Sequence, residues 1–169
     1  HLLDVFLNEY DVAVMNPPYG QALDWSLISN AKEANHNLYC AFLLRARELI
    51  ASTGYVGALT DRTYMQLVSF EQFRTNLLHT LPLLPAADLG WDVLDDANVA
   101  ICATVFGRVN ASGQATFIRC LDASDKEHHF ESRLANVTDG RSAADVFTVD
   151  LRDFEIIPTH PYSYWAPHS

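Results

Sequence analysis

Lysine and arginine are scarce in this sequence. The 169 residues include 11 Lys and Arg against 21 Asp and Glu, which gives a formal net charge of −10 with histidine neutral. A surface that binds nucleic-acid phosphates needs clustered basic side chains, because each phosphate contact replaces a condensed counterion. The charge balance therefore argues against this chain holding a nucleic acid by itself, and any such surface is expected in other parts of a longer protein.

Cysteine pairs and long apolar runs are also missing. The three cysteines, Cys40, Cys102 and Cys120, are odd in number and widely spaced, so neither a disulfide framework nor a zinc site is predicted. Reduced cysteines suit a cytoplasmic protein, and Cys102, inside an apolar strand pattern, is interpreted as a small buried hydrophobe. No apolar run reaches the roughly 18 residues that a membrane span needs, and no signal peptide is evident, so no membrane partner is expected.

A glycine-rich turn of the G-x-G type after a strand is the third absence. Such turns hold the phosphates of nucleotide-like cofactors, so a cofactor of this kind is expected to be bound mainly by residues outside this chain. The sequence begins at His1 without a methionine, and we interpret it as a segment of a larger protein.

Two clusters of potential metal ligands are present, and neither predicts a metal site. His128 and His129 are adjacent in a charged run, and adjacent side chains point in different directions on a regular backbone, so a solvated turn is favoured. Asp92, Asp95 and Asp96 resemble a cation-binding loop but lack the glycine and the bidentate glutamate of an EF-hand. A surface loop before an apolar strand is predicted there instead.

Strand-like and helix-like segments alternate along the chain. With 49% hydrophobic and 19% charged residues, the composition is that of a globular protein. Asn37 and Ser69 are predicted to cap two helices, and Ser52-Thr53-Gly54 to end the first. The order of elements predicts an α/β fold that closes with an antiparallel hairpin and becomes polar and irregular after Leu121. The predicted strands are 11–15, 55–60, 86–89, 99–109 and 115–121, the last two paired through a turn at 110–113, and the predicted helices are 38–50 and 69–78.

The most informative feature is Asn16-Pro17-Pro18-Tyr19, which directly follows the apolar run 11–15. Ligands bind at the carboxyl ends of strands in open α/β sheets, and the tetrapeptide is predicted to lie at such an end. A Pro-Pro turn that merely ends a strand is the structural alternative. The residue types favour a functional role, because they suit the presentation of an amino group attached to a planar ring.

The chemistry of such an amino group explains the choice of residues. Its lone pair is delocalised into the ring, which makes it a poor nucleophile. The Asn16 side-chain oxygen and the Pro17 carbonyl can accept its two hydrogens and free the lone pair. Consecutive prolines fix φ and hold these acceptors in place. The ring of Tyr19 offers a face for stacking a base, worth roughly 1–3 kcal/mol.

Asn16–Tyr19 resembles the (D/N/S)PP(Y/F/W) motif of amino-group methyltransferases, and the Asn form with Tyr resembles the γ-class N6-adenine enzymes. Ile157–Trp165 is similar to the Ile-Pro-Gly-x-Pro-x-x-Tyr-Trp segment of large phage-defence methylases, including BREX-type and type IIG restriction-modification proteins, with Thr159 in place of the usual glycine. The segments 37–39, 54–60, 69–74, 88–90 and 99–103 are similar to the helices, strands and closing hairpin of the same enzymes.

This resemblance implies a fold, a reaction and partners. The fold is expected to be the C-terminal portion of a Rossmann-like methyltransferase sheet, with residues 1–109 as a partial catalytic domain. Residues 110–169 are expected to form a hairpin strand and a linker toward a target-recognition region. The full-length parent is expected to be a site-specific, adenine-specific DNA methyltransferase of restriction-modification or phage defence, which uses S-adenosylmethionine and contacts DNA and defence-system subunits. Its target base would be flipped out of the duplex, with Asn16 and Pro17 orienting the amino group, Pro18 holding the turn and Tyr19 stacking on the base.

Alternatives to this function remain open. The same tetrapeptide would also suit a protein glutamine amide or an RNA base, and a non-catalytic scaffold in a defence complex is the third possibility. The chain alone is expected to be inactive, and exposed apolar surface is expected to make it self-associate. Thr60, Asp61 and Arg62 follow a strand at the ligand-binding edge and are expected to contact cofactor or DNA. Trp91 is expected to cap the sheet or, less favoured, to gate the adenine pocket.

Overall fold

The computed structural model describes residues 8–21, 24–28, 30–94 and 98–166. Six strands form one mixed sheet in the order β1-β2-β4-β3-β5-β6. Among the described residues, no helix is long and apolar enough to cross a membrane. The strands are β1 Tyr10–Met15, β2 Ile50–Asp61, β3 Leu83–Gly90, β4 Ile101–Gly107, β5 Gln114–Arg119 and β6 Val146–Asp150; the α-helices are α1 Leu38–Leu49, α2 Glu71–Thr80, α3 Lys126–Thr138 and α4 Leu151–Ile156, and 3-10 turns span Trp25–Leu27, Arg62–Met65 and Val68–Phe70.

The predicted α/β class is confirmed, and the sheet contains an antiparallel hairpin, formed by β3 and β4. β1 and β2 pair in parallel and are connected through α1, which places their carboxyl ends at the same edge of the sheet. β3 and β4 follow each other in the chain and pair antiparallel, and β4 also pairs antiparallel with β2. The edge at which β1 and β2 end is therefore the one that carries the candidate site.

The pairing predicted for 115–121 is wrong. β5 pairs in parallel with β3 and antiparallel with β6, not with β4. Both edges of β4 are already occupied by β2 and β3, so no free edge remains for β5. The turn at 110–113 directs the chain accordingly, because the Asn110 side-chain amide donates to Leu83 O at 3.0 Å and to Gln114 O at 2.8 Å. These bonds hold the start of β5 beside the start of β3.

The chain after Leu121 is not irregular, as the sequence predicted, but contains α3, β6 and α4. α3 was not predicted because it is polar. None of its residues is buried, and a helix with little apolar surface gives a weak periodic signal of hydrophobic residues. Asp125 caps it by accepting from the backbone N–H of His128 at 3.0 Å. β5 and β6 extend the same sheet as β1–β4, and the division of the chain at residue 109 stays a prediction.

The helices of the first half begin and end close to the predicted positions, but for other reasons. Asn37 precedes α1 without a side-chain capping bond. Ser52-Thr53-Gly54 lies inside β2, which α1 enters directly, so the predicted stop is wrong. A Cβ on Gly54 would lie 2.9 Å from Ile50 Cβ and 3.0 Å from Tyr10 O, and this close approach explains the glycine. Ser69 lies in the 3-10 turn before α2 and does not cap it.

One face of the sheet carries the main core, formed with α1 and α2. Leu43 and Leu44 of α1 and Phe73 and Leu77 of α2 are buried there. The C-terminal tail reaches the same core, where Tyr162 is 1% exposed. The other face is partly open: Val12 and Val14 of β1 are 57% and 83% exposed, and Phe130 and Leu134 of α3 share an apolar groove on it with strands β1 to β5.

Candidate active site

Asn16-Pro17-Pro18-Tyr19 leaves the carboxyl end of β1, as the sequence predicted. The Asn16 side chain is exposed, Pro17 is buried, Pro18 is exposed and Tyr19 is half-buried. The Tyr19 hydroxyl donates to Asn16 Oδ1 at 3.2 Å. An exposed carboxamide beside a half-buried aromatic ring is the arrangement that a planar amine needs, because the amide can accept hydrogens while the ring offers a face.

The turn is fixed at its far end by the start of α1. Leu38 N donates to Gly20 O at 2.9 Å, and Gly20 has φ +94°, a conformation that favours glycine. The Tyr19 ring packs against the core cluster. The tetrapeptide is thus held between β1 and α1, so that its acceptors have a defined position before a substrate binds.

The electrostatics around Tyr19 keep its hydroxyl protonated. Burial raises the pKa of Tyr19, and Cys102 and Asp61 raise it further. A phenol with a pKa above its ordinary value of about 10 carries its proton at neutral pH. Tyr19 therefore acts as a hydrogen-bond donor to Asn16 and is not a base.

The segment after β2 lies beside this turn. Asp61 accepts from Thr63 N at 2.8 Å and so starts the 3-10 turn Arg62–Met65. The Thr63 hydroxyl lies 3.5 Å from the Tyr39 hydroxyl of α1. Leu38, next to Tyr39, donates to Gly20 O, so the segments that leave the carboxyl ends of β1 and β2 both contact the start of α1.

Thr60 does not have the role that the sequence predicted for it, and Arg62 forms an ion pair. Thr60 is fully buried, and its hydroxyl lies 3.4 Å from the Cys102 sulfur, so it has no surface for a ligand. The Arg62 guanidinium donates to Asp88 Oδ2 at 2.6 Å, which commits it to an internal ion pair. Contact of Asp61 or Arg62 with a ligand stays a prediction.

Asp88 lies at the same edge of the sheet as the candidate site, and the sequence analysis did not identify it as a site residue. It is fully buried near the end of β3, and its Oδ2 accepts from both Arg62 and the Tyr164 hydroxyl, the latter at 2.7 Å. Burying a carboxylate is costly unless it is paired, and here two partners distant in sequence meet it. An acidic residue inside the apolar strand 83–90 was the available signal.

The remaining candidates lie away from Asn16. His128 and His129 are in the first turn of α3 and not in a solvated turn, and His129 Nε2 lies 2.7 Å from Asp145 Oδ2. Among the described residues, no group of three or more His, Cys, Asp or Glu side chains could hold a metal ion. Asp92 is exposed after β3, whereas Asp95 and Asp96 lie outside the described residues.

Trp91 and the three cysteines are the last residues that the sequence analysis singled out. Trp91, directly after β3, is 55% exposed, and capping of the sheet and gating of the pocket both stay predictions. Cys102 is fully buried, as predicted, and burial raises the pKa of its thiol to about 12. Cys40 and Cys120 are also buried and unpaired.

Comparison with known proteins gives matches to methyltransferases. The family model of the Eco57I restriction-modification methylases matches residues 3–89. The adenine-specific methyltransferase BrxX of Escherichia coli O9:H4 (strain HS) is 28% identical over 173 residues, a stretch that covers 96% of this chain. The chain spans 14% of the length of that relative.

Solved structures agree in fold. The methyltransferase subunit of a type I restriction-modification system from Streptococcus thermophilus superposes with a TM-score of 0.70 at 12% identity, covering 90% of this chain and 37% of that one. The DrdV–DNA complex superposes with a TM-score of 0.68 at 13% identity, covering 94% of this chain and 18% of that one. At these identities the likeness concerns the fold.

Proposed function

The chain belongs to the Eco57I restriction-modification methylase family, and we propose that the protein of which it is a part transfers a methyl group from S-adenosylmethionine to the N6 amino group of adenine in DNA. The observation that carries the proposal is the tetrapeptide Asn16–Tyr19 at the carboxyl end of β1, with an exposed carboxamide held beside a protonated tyrosine. The relative BrxX is an adenine-specific methyltransferase, which supports adenine, and the family of restriction-modification methylases supports a role in restriction-modification or phage defence.

Asn16 and Pro17 are proposed to orient the amino group. The Asn16 Oδ1 atom accepts one N6 hydrogen and the Pro17 carbonyl accepts the other, so electron density returns to the nitrogen lone pair. Because Tyr19 donates to the same Oδ1 atom, the carboxamide is oriented with its oxygen, and not its NH2 group, toward Tyr19. Pro18 fixes the backbone between them.

Tyr19 is proposed to stack on the target adenine. A base inside a duplex cannot reach the carboxyl end of β1, so the nucleotide is flipped out before it meets Asn16 and Tyr19. The half-buried ring is supported from behind by the core, which keeps the stacking face in place. Holding the amine in line with the methyl group supplies proximity and orientation.

S-adenosylmethionine supplies an electrophilic methyl group when it is bound. The residues of this chain fit the substrate side of such a site, because Asn16 is exposed at the carboxyl end of β1. The described part of the chain has no glycine-rich turn after a strand. We therefore place the main cofactor-binding residues elsewhere in the parent, and we expect this chain alone to be inactive.

DNA is the proposed macromolecular substrate. The fold is shared with the DrdV–DNA complex, but the net charge of −10 leaves little basic surface for phosphates. Most phosphate contacts are therefore assigned to other parts of the parent, as are contacts with defence-system subunits. The division into a partial catalytic domain, residues 1–109, and a hairpin strand and linker, residues 110–169, and a cytoplasmic location belong to the same proposal.

The test is methyl transfer by the full-length parent from labelled S-adenosylmethionine, with DNA, RNA and protein extract offered separately. The expected product is N6-methyladenine in DNA, and its formation should fall by at least about 100-fold in Asn16→Ala, because the loss of one preorganised hydrogen-bonding group costs about that much. Label in RNA or in protein glutamine, and not in DNA, would show that the substrate is RNA or protein. Absence of label from all three would favour the scaffold.

A further inference from the structure

The C-terminal tail folds back onto the edge that carries the candidate active site. Residues 157–164, here called the strap, follow α4. Residues 61–67, here called the wall, begin at the last residue of β2, at the same edge of the sheet as the turn that carries Tyr19, because β1 and β2 pair in parallel. The Thr63 hydroxyl of the wall lies 3.5 Å from the Tyr39 hydroxyl of α1, and the neighbouring Leu38 N donates to Gly20 O, next to Tyr19. Strap and wall are about 90 residues apart in sequence, yet they are joined by hydrogen bonds through one side chain of α2.

That side chain is Arg74, which is fully buried. Its guanidinium donates to two carbonyls of the wall, Tyr64 O at 2.6 Å and Leu67 O at 2.7 Å. It also donates to two carbonyls of the strap, Thr159 O at 2.5 Å and His160 O at 2.8 Å. Four acceptors on two segments match the planar fork of a guanidinium and not the single nitrogen of a lysine.

The strap adopts an unusual backbone to make these bonds. Thr159 and His160 have φ values of +68° and +50°, in the left-handed region that non-glycine residues rarely occupy. The carbonyls of both residues accept from Arg74. The His160 ring is held as well, with Nδ1 2.9 Å from the Thr75 hydroxyl. The strained conformation is thus fixed by α2.

Two further contacts tie the same segments together. Tyr162 N donates to Met65 O of the wall at 2.7 Å. Tyr164 and Arg62 share the buried carboxylate of Asp88 as donors to one oxygen. Strap contacts therefore reach the first residues of the wall as well as its last ones.

We propose that Arg74 is a positioning residue for methyl transfer, which sets the wall against Tyr19 by clamping it to the strap. The inference rests on the proposed function and adds a requirement to it: the adenine pocket has its reactive geometry only when the strap is seated. Thr63 transmits the position to the start of α1 through its contact with Tyr39, and the start of α1 holds the turn that carries Tyr19 through the bond from Leu38 N to Gly20 O. Arg74 touches neither the base nor the methyl group in this scheme.

The test uses the full-length parent with Arg74→Lys, which retains the charge and loses the fork. We expect kcat to fall about 10- to 100-fold, the range for a small displacement of a reacting group, while KM for DNA changes by less than about threefold. Tyr164→Phe is the milder second variant, with an expected fall in kcat of about threefold, since only one hydrogen bond to Asp88 is removed. Hydrogen exchange at the Leu67 and Tyr162 amides should rise together in Arg74→Lys.

Two control variants distinguish a general loss of stability from a displacement of the wall relative to Tyr19. Val149→Ala removes buried volume from β6 and none of the hydrogen bonds that join strap, wall and Arg74, and it should lower stability with kcat unchanged. Thr159→Gly retains the carbonyl that accepts from Arg74 and suits its positive φ, so kcat should be retained. An unchanged kcat in Arg74→Lys, or an equal fall in Val149→Ala, would overturn the inference.

The two proposals can fail separately. If Asn16→Ala still forms N6-methyladenine at the full rate, the proposed function is wrong whatever Arg74→Lys does. If Asn16→Ala is inactive and Arg74→Lys is as active as the unmodified parent, only the positioning role is wrong. The exchange measurement reports on clamping without reference to catalysis, and independent rates at the two amides would refute it.

Discussion

Tyr19 has two separable parts, a hydroxyl and a ring, and the structure predicts unequal contributions from them. The hydroxyl makes one hydrogen bond to Asn16 Oδ1, long at 3.2 Å and open to solvent. Such a bond contributes at the lower end of the usual range, about 0.5 kcal/mol. The ring is proposed to stack on the flipped adenine, which is worth roughly 1–3 kcal/mol. Removing only the hydroxyl should therefore cost far less than removing the ring.

In rate terms, Tyr19→Phe should lower kcat/KM about two- to threefold, and Tyr19→Ala about 5- to 150-fold, with 1.4 kcal/mol per factor of ten. The assay is methylation of a duplex with a single target adenine, run beside fluorescence of 2-aminopurine placed at the target position, which reports flipping. Tyr19→Phe should retain the flipping signal, and Tyr19→Ala should reduce it. Equal losses in the two variants would refute the stacking argument and give the hydroxyl the main role.

Two other predictions concern the edge of the site. Asp88→Ala should lower the free energy of unfolding by about 3 kcal/mol in denaturant titration, because it leaves the partly buried Arg62 without its partner; a loss below about 1 kcal/mol would contradict a buried ion pair. Since burial raises the pKa of Cys102 to about 12, its thiol should stay neutral and resist alkylation by iodoacetamide at pH 8 in the folded protein. Denaturation should make it reactive, and mass spectrometry of the labelled peptide measures the difference; equal labelling in both states would contradict the burial.

The local features of the site could be predicted from the sequence because they depend on neighbours in the chain. An apolar run ended by two prolines places Asn16–Tyr19 after a strand whatever the rest of the fold does. α1 and β2 were identified from periodicity for the same reason, and only their junction at Ser52-Thr53-Gly54 was misassigned. The glycine was taken as a helix stop, whereas it is required by the close approach of Ile50 and Tyr10. Backbone crowding of that kind depends on the paired strand.

Pairing partners were harder to predict than the strands themselves. The pattern of 115–121 indicates a strand but does not say which edge receives it. Asn110 makes that choice, because its amide bridges the starts of β3 and β5. A polar turn residue looks the same in sequence whether it closes a hairpin or directs the chain to another strand.

The hydrogen-bond partners of buried polar side chains could not be predicted from the sequence where they lie far apart in the chain. Asp88 interrupts an apolar strand, and a buried carboxylate requires a partner, so the sequence does predict that some donor must reach it. It cannot say which one: Arg62 and Tyr164 lie 26 and 76 residues away, and Arg119, its neighbour on β5, is an equally reasonable choice. The strap makes the decision, because Tyr164 reaches Asp88 only when residues 157–164 fold back over α2. A segment that looked like an exit from the domain thus completes the buried charge pair beside the active site.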